Sequence, residues 1–310
     1  MNLTYRQLEI LIAAADAESF SAAAAALRIS QPTLSESIRR IETELGVRLF
    51  ERTTRSLKLT DDGRFAAAVA REAVRDFRRA LDRLSARGDG SQGRIRIAAL
   101  PSIASAALPE ALKAFRRTHP GVGVVLNDVQ HERAVSLVAE GAADLAVTIK
   151  PARQDELVFD EIGSDTAHLV CRPDHPLARR QAVRWSELAG LPFIGITRIS
   201  SVRRLTDAAF VHAELAIEPH YEVEQIPSAV ALVEAGLGVT ALPSLTFPMF
   251  KGRNLVMRPL VEPRLRRNVG FVTLAGRTLP DYSAALMEVL RTSLMRQLSG
   301  RASAPSSARR

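Results

Sequence analysis

The chain holds 310 residues, 46% hydrophobic and 25% charged, with a formal net charge of +8 and one cysteine. This composition fits two or three globular domains with an ample core and excludes disordered, collagen-like and disulfide-scaffold classes. No apolar run reaches membrane-spanning length, and the lone Cys171 excludes an intrachain disulfide, so a reducing compartment and no membrane are expected.

The opening residues, Met1 to Gln7, pass straight into a helical pattern with no basic n-region, apolar h-region or small-residue cleavage site, which predicts a cytoplasmic protein. Leu3, Leu8, Leu11 and Ile12 define the first helix. Ser19 and Ser21 are candidate caps of a short alanine-rich helix, whose small residues 22–26 let a second helix cross closely. Ser30 can cap that second helix, with Pro32 tolerated in its first turn. Leu34, Ile38, Ile41 and Leu45 then form a buried stripe, leaving Gln31, Thr33, Ser35, Glu36, Arg39 and Arg40 on the other face. Such a face fits a DNA major groove and equally a solvated surface. Residues 28–58 carry seven basic and four acidic side chains, a modest argument for DNA.

After Thr60, a candidate N-cap followed by Asp61 and Asp62, the pattern stays helical to about residue 87. Phe65, Val69, Val74, Phe77, Leu81 and Leu84 make an apolar stripe that must be buried, with a second copy of the chain as the expected partner and docking on its own domain as the alternative. The cluster Gly88-Asp89-Gly90-Ser91-Gln92-Gly93 breaks the helix. Beyond it, strand-like runs at 122–126, 145–149, 193–196, 239–242 and 269–273 alternate with helical stretches at 106–117, 133–140, 202–213, 229–235 and 282–298. That alternation predicts an α/β region with largely parallel strands, and its size predicts two lobes with a cleft. Residues 299–310, rich in Ser, Ala and Arg and containing Pro305, read as disordered.

Residues 18–52 place Ser19-Phe20, Ala23-Ala24, Leu27, Ser30-Gln31-Pro32, Ser35, Ile38, Ile41-Glu42, Leu45-Gly46 and Leu49-Phe50-Glu51-Arg52 in a spacing that resembles the winged helix-turn-helix of LysR-type transcriptional regulators. Residues 52–63 are similar to the family's wing and to its Leu-Thr-x-x-Gly entry to a linker helix. The resemblance continues to about residue 295 through Phe115 to Val122, Gly141 to Ala146, His175-Pro176-Leu177 and Val233 to Val239 with Leu242-Pro243. It implies a multidomain chain: an α-rich winged helix-turn-helix over 1–60, a linker helix and hinge over 61–93, and an α/β two-lobed periplasmic-binding-protein-like domain over 94–298. Lobe I would take about 94–163 and 268–298, and lobe II about 164–267.

The same resemblance implies that Gln31, Thr33 and Ser35 read bases beside Pro32 and Glu36, while Arg39, Arg40, Arg52 and Arg55 position the backbone of double-stranded DNA. Ser102, Gln130, Thr148, Thr197, Ser200 and Gln225 match positions that line the family's effector cleft, with Arg198 as countercharge if the small-molecule effector is an organic acid. Each could equally be a helix cap or loop residue, and Gln130 departs from the Ser or Thr of many relatives. A homodimer or homotetramer is expected, with RNA polymerase as a further partner of an activator, and no cofactor.

Other chemistries lack support. The stretch 236–241 fits a relaxed dinucleotide fingerprint but follows a helix and opens a strand, the reverse of what phosphate binding needs. The six histidines show no metal spacing, and no nucleotide-binding loop, nucleophile elbow or His-Glu-x-x-His occurs. An enzyme with dispersed residues and a solute-binding protein are the alternatives to a regulator.

Overall fold

The computed structural model describes residues 3–52, 57–88, 93–152 and 156–299. It divides into two compact units, Met1–Gly90 and Ser91–Arg310.

In the first unit three short helices, α1 (Tyr5–Asp16), α2 (Phe20–Ala26) and α3 (Gln31–Leu45), precede a hairpin of β1 (Phe50–Arg52) and antiparallel β2 (Leu57–Leu59), and then α4 (Asp61–Gly88). Each start is set by a hydroxyl. Thr4 forms a capping box with Gln7, Ser19 accepts the Ala22 N–H at 3.1 Å, and Ser30 accepts that of Thr33 at 3.3 Å; such caps contribute about 1 kcal/mol each. Leu11, Ala23, Leu34, Ile41 and Leu49 are fully buried together. Gly46 ends α3 at φ +72°, a conformation that Gly adopts without strain.

Thr60 joins the hairpin to α4: its hydroxyl donates to the Arg48 carbonyl at 2.7 Å and accepts the Gly63 N–H at 2.9 Å. Gly63 lies so close to the Leu49 carbonyl that a Cβ there would sit 2.0 Å from the oxygen. The expected single apolar stripe of α4 is divided between two faces. Ala67, Ala70 and Val74 are buried on the side where α4 packs along α1, while Phe65 and Val69 stay exposed and Phe77 keeps its ring 5.0 Å from Tyr5. Docking on its own unit, the less favoured alternative, therefore accounts for Val74. The side chain of Leu84 lies outside the described residues.

The second unit opens with β3 (Gly93–Ala99), α5 (Pro101–Ala106), α6 (Leu108–Thr118), β4 (Val122–Asp128), α7 (His131–Ala139) and β5 (Leu145–Ile149). β3 pairs in parallel with β4 and β5. The long β6 (Leu157–Cys171) then runs through the whole unit. After β7 (Val183–Arg184) come β8 (Ile194–Ile196), α8 (Ser201–His212), β9 (Tyr221–Val223), α9 (Ile226–Glu234), β10 (Thr240–Pro243), β11 (Val256–Val261), β12 (Arg266–Leu274) and α10 (Asp281–Ser299).

The first part of β6 pairs with β12, which also pairs with β5, and its end pairs with β10 and β11; all four pairings are antiparallel. The expectation of largely parallel strands is thus corrected to a mixed sheet, because the chain crosses between two cores on β6 and returns on β12. One core gathers Ile97, Phe115, Leu145, Phe271 and Leu290. The other side holds Trp185, Phe193 and Phe210 in one cluster and Ile194, Val230 and Leu242 in another. Leu245, in the 3-10 turn Ser244–Phe250 that follows β10, inserts into the first core. Within the predicted tail, Ser299 ends α10 and residues 300–310 lie outside the described residues.

Candidate functional site

Two polar surfaces stand out, one in each unit. On α3, Leu34, Ile38 and Ile41 are buried and Leu45 half-buried, so Gln31, Pro32, Thr33, Glu36, Arg39 and Arg40 are turned outward and Ser35 lies at the flank. Three of these polar groups are engaged. The Thr33 hydroxyl lies 2.7 Å from that of Ser30, and Arg40 pairs with Glu36 at 3.1 Å across one helical turn. Gln31, Ser35 and Arg39 have no side-chain partner among the described residues. A helix in this state presents donors and acceptors whose hydrogen bonds are made only to water, which base edges and phosphates can replace.

The helix is held to the hairpin by Glu42, whose carboxylate accepts the N–H groups of Leu49 at 2.8 Å and Phe50 at 3.3 Å. Phe20 and Phe50 meet edge to face at 5.3 Å beside Ser35 and Arg39. Arg55 and the side chain of Arg52 lie outside the described residues.

In the second unit, Ser102, Gln130, Ser200 and Gln225 line one cleft together with Ser201, Glu224, Ile226, Met249 and Arg267. The first turns of α5 and α8 and the residues that precede α7 and α9 converge there, which brings backbone N–H groups and the positive ends of helix dipoles to one place. The cavity volume is about 20 Å³, room for roughly one water molecule. Glu132 of α7 and Arg204 of α8 form an ion pair that links the two sides of the cleft.

Arg267 organises the cleft. It is 6% exposed and sits opposite Asp165 in the β12–β6 register. Its Nε and Nη2 donate to Asp165 Oδ2 at 3.1 and 2.8 Å, Nη2 also donates to Ser102 Oγ at 3.0 Å, and Nη1 donates to Ser201 Oγ at 3.4 Å. Asp165 Oδ1 accepts from Ser244 Oγ at 2.6 Å. A guanidinium only donates, so Ser102 and Ser201 act here as acceptors, and each keeps its own O–H to offer elsewhere. Charge is balanced within the network, as burial requires.

The remaining predicted positions do not join this lining. Thr148 is fully buried on β5, 2.8 Å from His131 Nδ1, and burial holds the His131 imidazole below its ordinary pKa. Thr197 has a buried hydroxyl with no partner among the described residues. Arg198 is exposed and lies outside the lining; the cation in the cleft is Arg267. Arg267, Asp165, Ser201 and Glu224 were missed by the sequence reading. Ser201 could have been found, since it directly follows Ser200 at a helix start.

The model of the bacterial regulatory helix-turn-helix protein, lysR family, matches residues 5–64, and that of the LysR substrate binding domain matches residues 88–295. The chain belongs to the LysR family. This LysR-type chain is a DNA-binding transcriptional regulator with an effector-binding domain. It is 31% identical over 265 residues to the uncharacterized HTH-type transcriptional regulator YbhD of Escherichia coli K12, covering 86% of this chain and 84% of that one. It is 28% identical over 290 residues to a hydrogen peroxide-inducible genes activator of Escherichia coli O6:H1, covering 93% and 95%. The fold of this regulator is similar to that of a full-length OxyR variant from Pseudomonas aeruginosa, with a TM-score of 0.63, 20% identity and 96% of both chains covered. These relatives are transcriptional regulators, and no helix among the described residues is long and apolar enough to cross a membrane.

Proposed function

We propose that this regulator reads specific DNA sites through α3 and responds to a small organic anion bound in the cleft of its second unit. The observation that carries the DNA reading is the unpartnered trio of Gln31, Ser35 and Arg39 on the outer face of α3. Gln31, Thr33 and Ser35 are assigned to bases, beside Pro32 and Glu36; Arg39, Arg40, Arg52 and Arg55 are assigned to phosphates. Two copies joined through the exposed Phe65 and Val69 face of α4 would address two half-sites one helical turn, or a multiple of it, apart. The working boundaries are 1–60, 61–93 and 94–298, in a cytoplasmic homo-oligomer that contacts RNA polymerase where it activates and catalyses no reaction.

The effector reading rests on the cleft hydroxyls. With Ser102 and Ser201 accepting from Arg267, their O–H groups are left as donors, and Gln130, Ser200 and Gln225 add adaptable polar groups. Thr148, Thr197 and Arg198 belong to the surroundings of this cleft. A ligand larger than water needs more room than the cleft holds, and a ligand that widens it between α7 and α8 would work against the Glu132–Arg204 link and favour the open arrangement, as a switching ligand must favour one of two. A peroxide signal through a thiol is disfavoured: Cys171 is the single cysteine, fully buried, and burial pushes its pKa up to about 11.

The test is selection of genomic fragments by purified protein at a stated salt concentration. A few recovered sites with half-site symmetry are expected. Weak binding that is indifferent to sequence would overturn the reading of specific sites through α3.

A further inference from the structure

Two formally charged side chains line the cleft, and they are treated in opposite ways. The positive charge of Arg267 is met by Asp165 immediately behind it, through two bonds to one carboxylate oxygen. The negative charge of Glu224 is met by no described residue. Glu224 makes no hydrogen bond or ion pair with any described residue, although Arg203, Arg204 and Arg267 all lie on neighbouring elements with carboxylate partners of their own. Nor does Glu224 cap α9, whose N-cap is Gln225 and carries no side-chain cap bond. The lining therefore offers two hydroxyl donors held on Arg267, Ser102 from α5 and Ser201 from α8 across the cleft, and the carboxylate of Glu224, paired with no described residue.

This inference builds on the effector reading above. An acid without a cationic group would bring a second negative charge beside the Glu224 carboxylate, which no described residue neutralises. Like charges at close range repel even when one of them is exposed, as Glu224 is, and that repulsion selects against such a ligand. We propose that the effector is an amine-bearing acid of amino-acid type, with its carboxylate against the Ser102 and Ser201 hydroxyls and its ammonium against Glu224. The two ends then match what the lining presents: hydroxyl donors with no acceptor, and an exposed carboxylate with no cation, among the described residues. Gln130 and Gln225, each with an amide that both donates and accepts, are indifferent to charge and leave discrimination to Glu224.

The experiment uses the full-length protein in thermal-shift and calorimetric titrations. The probes are the twenty standard amino acids, each beside the acid that lacks its amine, such as alanine with propionate and glutamate with glutarate. At least one amino acid is expected to bind, with its deaminated partner about tenfold weaker or worse. Glu224→Gln is expected to lower amino-acid affinity by about tenfold or more and to narrow that gap. Glu224 is exposed and bonded to no described residue, so an unchanged melting temperature of the unliganded variant verifies that it folds. Deaminated acids that bind as well as their amino partners, or a gap that Glu224→Gln leaves unchanged, overturn the amine requirement while the effector cleft stands. No binding by any probe overturns both.

Discussion

On α3 the charged groups stand in water. Arg39 and Arg40 are exposed, and the Glu36–Arg40 pair is more than half exposed on both sides. At the cleft one such pair is taken out of water: Arg267 and Asp165 have side chains 5% and 0% exposed and share two hydrogen bonds. An exposed pair is worth about 0–1 kcal/mol and fades with salt. A buried pair is costly to break, because whichever partner remains is left charged and unsolvated. A surface meant to meet a polyanion gains by keeping its groups free and weakly committed, whereas a site for one small molecule must fix donors in place before the ligand arrives.

Asp165→Ala tests the buried half of this contrast most severely. It is expected to remove about 3–5 kcal/mol from the second unit, against about 0.5 kcal/mol or less for Glu36→Ala in the first. Trp185 is the chain's single tryptophan and is fully buried in the second unit, so its fluorescence during denaturation follows that unit. A loss under about 1 kcal/mol for Asp165→Ala would show that the two regions do not differ as argued.

A smaller effect separates roles within α3. Gln31→Ala is expected to cost about 1–3 kcal/mol on a recovered site and little on scrambled DNA. Arg39→Ala should weaken both alike and lower the salt slope by about 1. Equal loss on both DNAs for Gln31→Ala would remove it from base reading. Below these, Ser30→Ala is expected to destabilise the start of α3 by about 1 kcal/mol, read as faster hydrogen exchange at the Thr33 amide that Ser30 caps.

The smallest expected effect is a pH dependence. Burial holds His131 and His175 below their ordinary pKa of 6.5, so the folded second unit keeps them neutral while the unfolded chain takes up protons first. Stability is then fully present above about pH 6.5 and is lost as pH falls from there toward the folded-state values. His131→Gln should flatten the pH dependence of the Trp185 transition without abolishing it, because His175 remains.

The first unit was legible because its determinants are local. Ser30, Pro32 and Gly46 mark the ends of α3 within a few residues of the positions they govern, and Leu34, Ile38 and Ile41 repeat at helical spacing. Even Glu42, whose bonds to Leu49 and Phe50 the sequence did not disclose, stood within the motif that carried the resemblance. In the second unit β5 matched its predicted span, as all of its residues are apolar or nearly so. Only the apolar end of β6, His168 to Cys171, is legible as strand; the rest went unread because Asp160, Glu161, Gly163, Ser164 and Asp165 interrupt it, and its demand for strand conformation comes from β12 about a hundred residues away. Arg267 was hidden for a related reason. Beside Arg264 and Arg266 it reads as surface charge, and only the β12–β6 register sets it against Asp165. Arg198 drew notice through its place after a strand, where the backbone in fact turns it to solvent.

Leu245 bears on how this unit can be taken apart. The turn Ser244–Phe250 belongs by connectivity to the side of the sheet that holds β10 and β11, yet Leu245 is fully buried in the core of the other side. A chimaera that grafts the second lobe of a relative onto this first lobe would swap that side chain as well, leaving either a void or a clash in a core the designer never intended to touch. The two lobes are thus not interchangeable modules, and recombination of effector specificity would have to keep Leu245 matched to the first lobe while Phe247, Met249 and Phe250 stay with the core of the second.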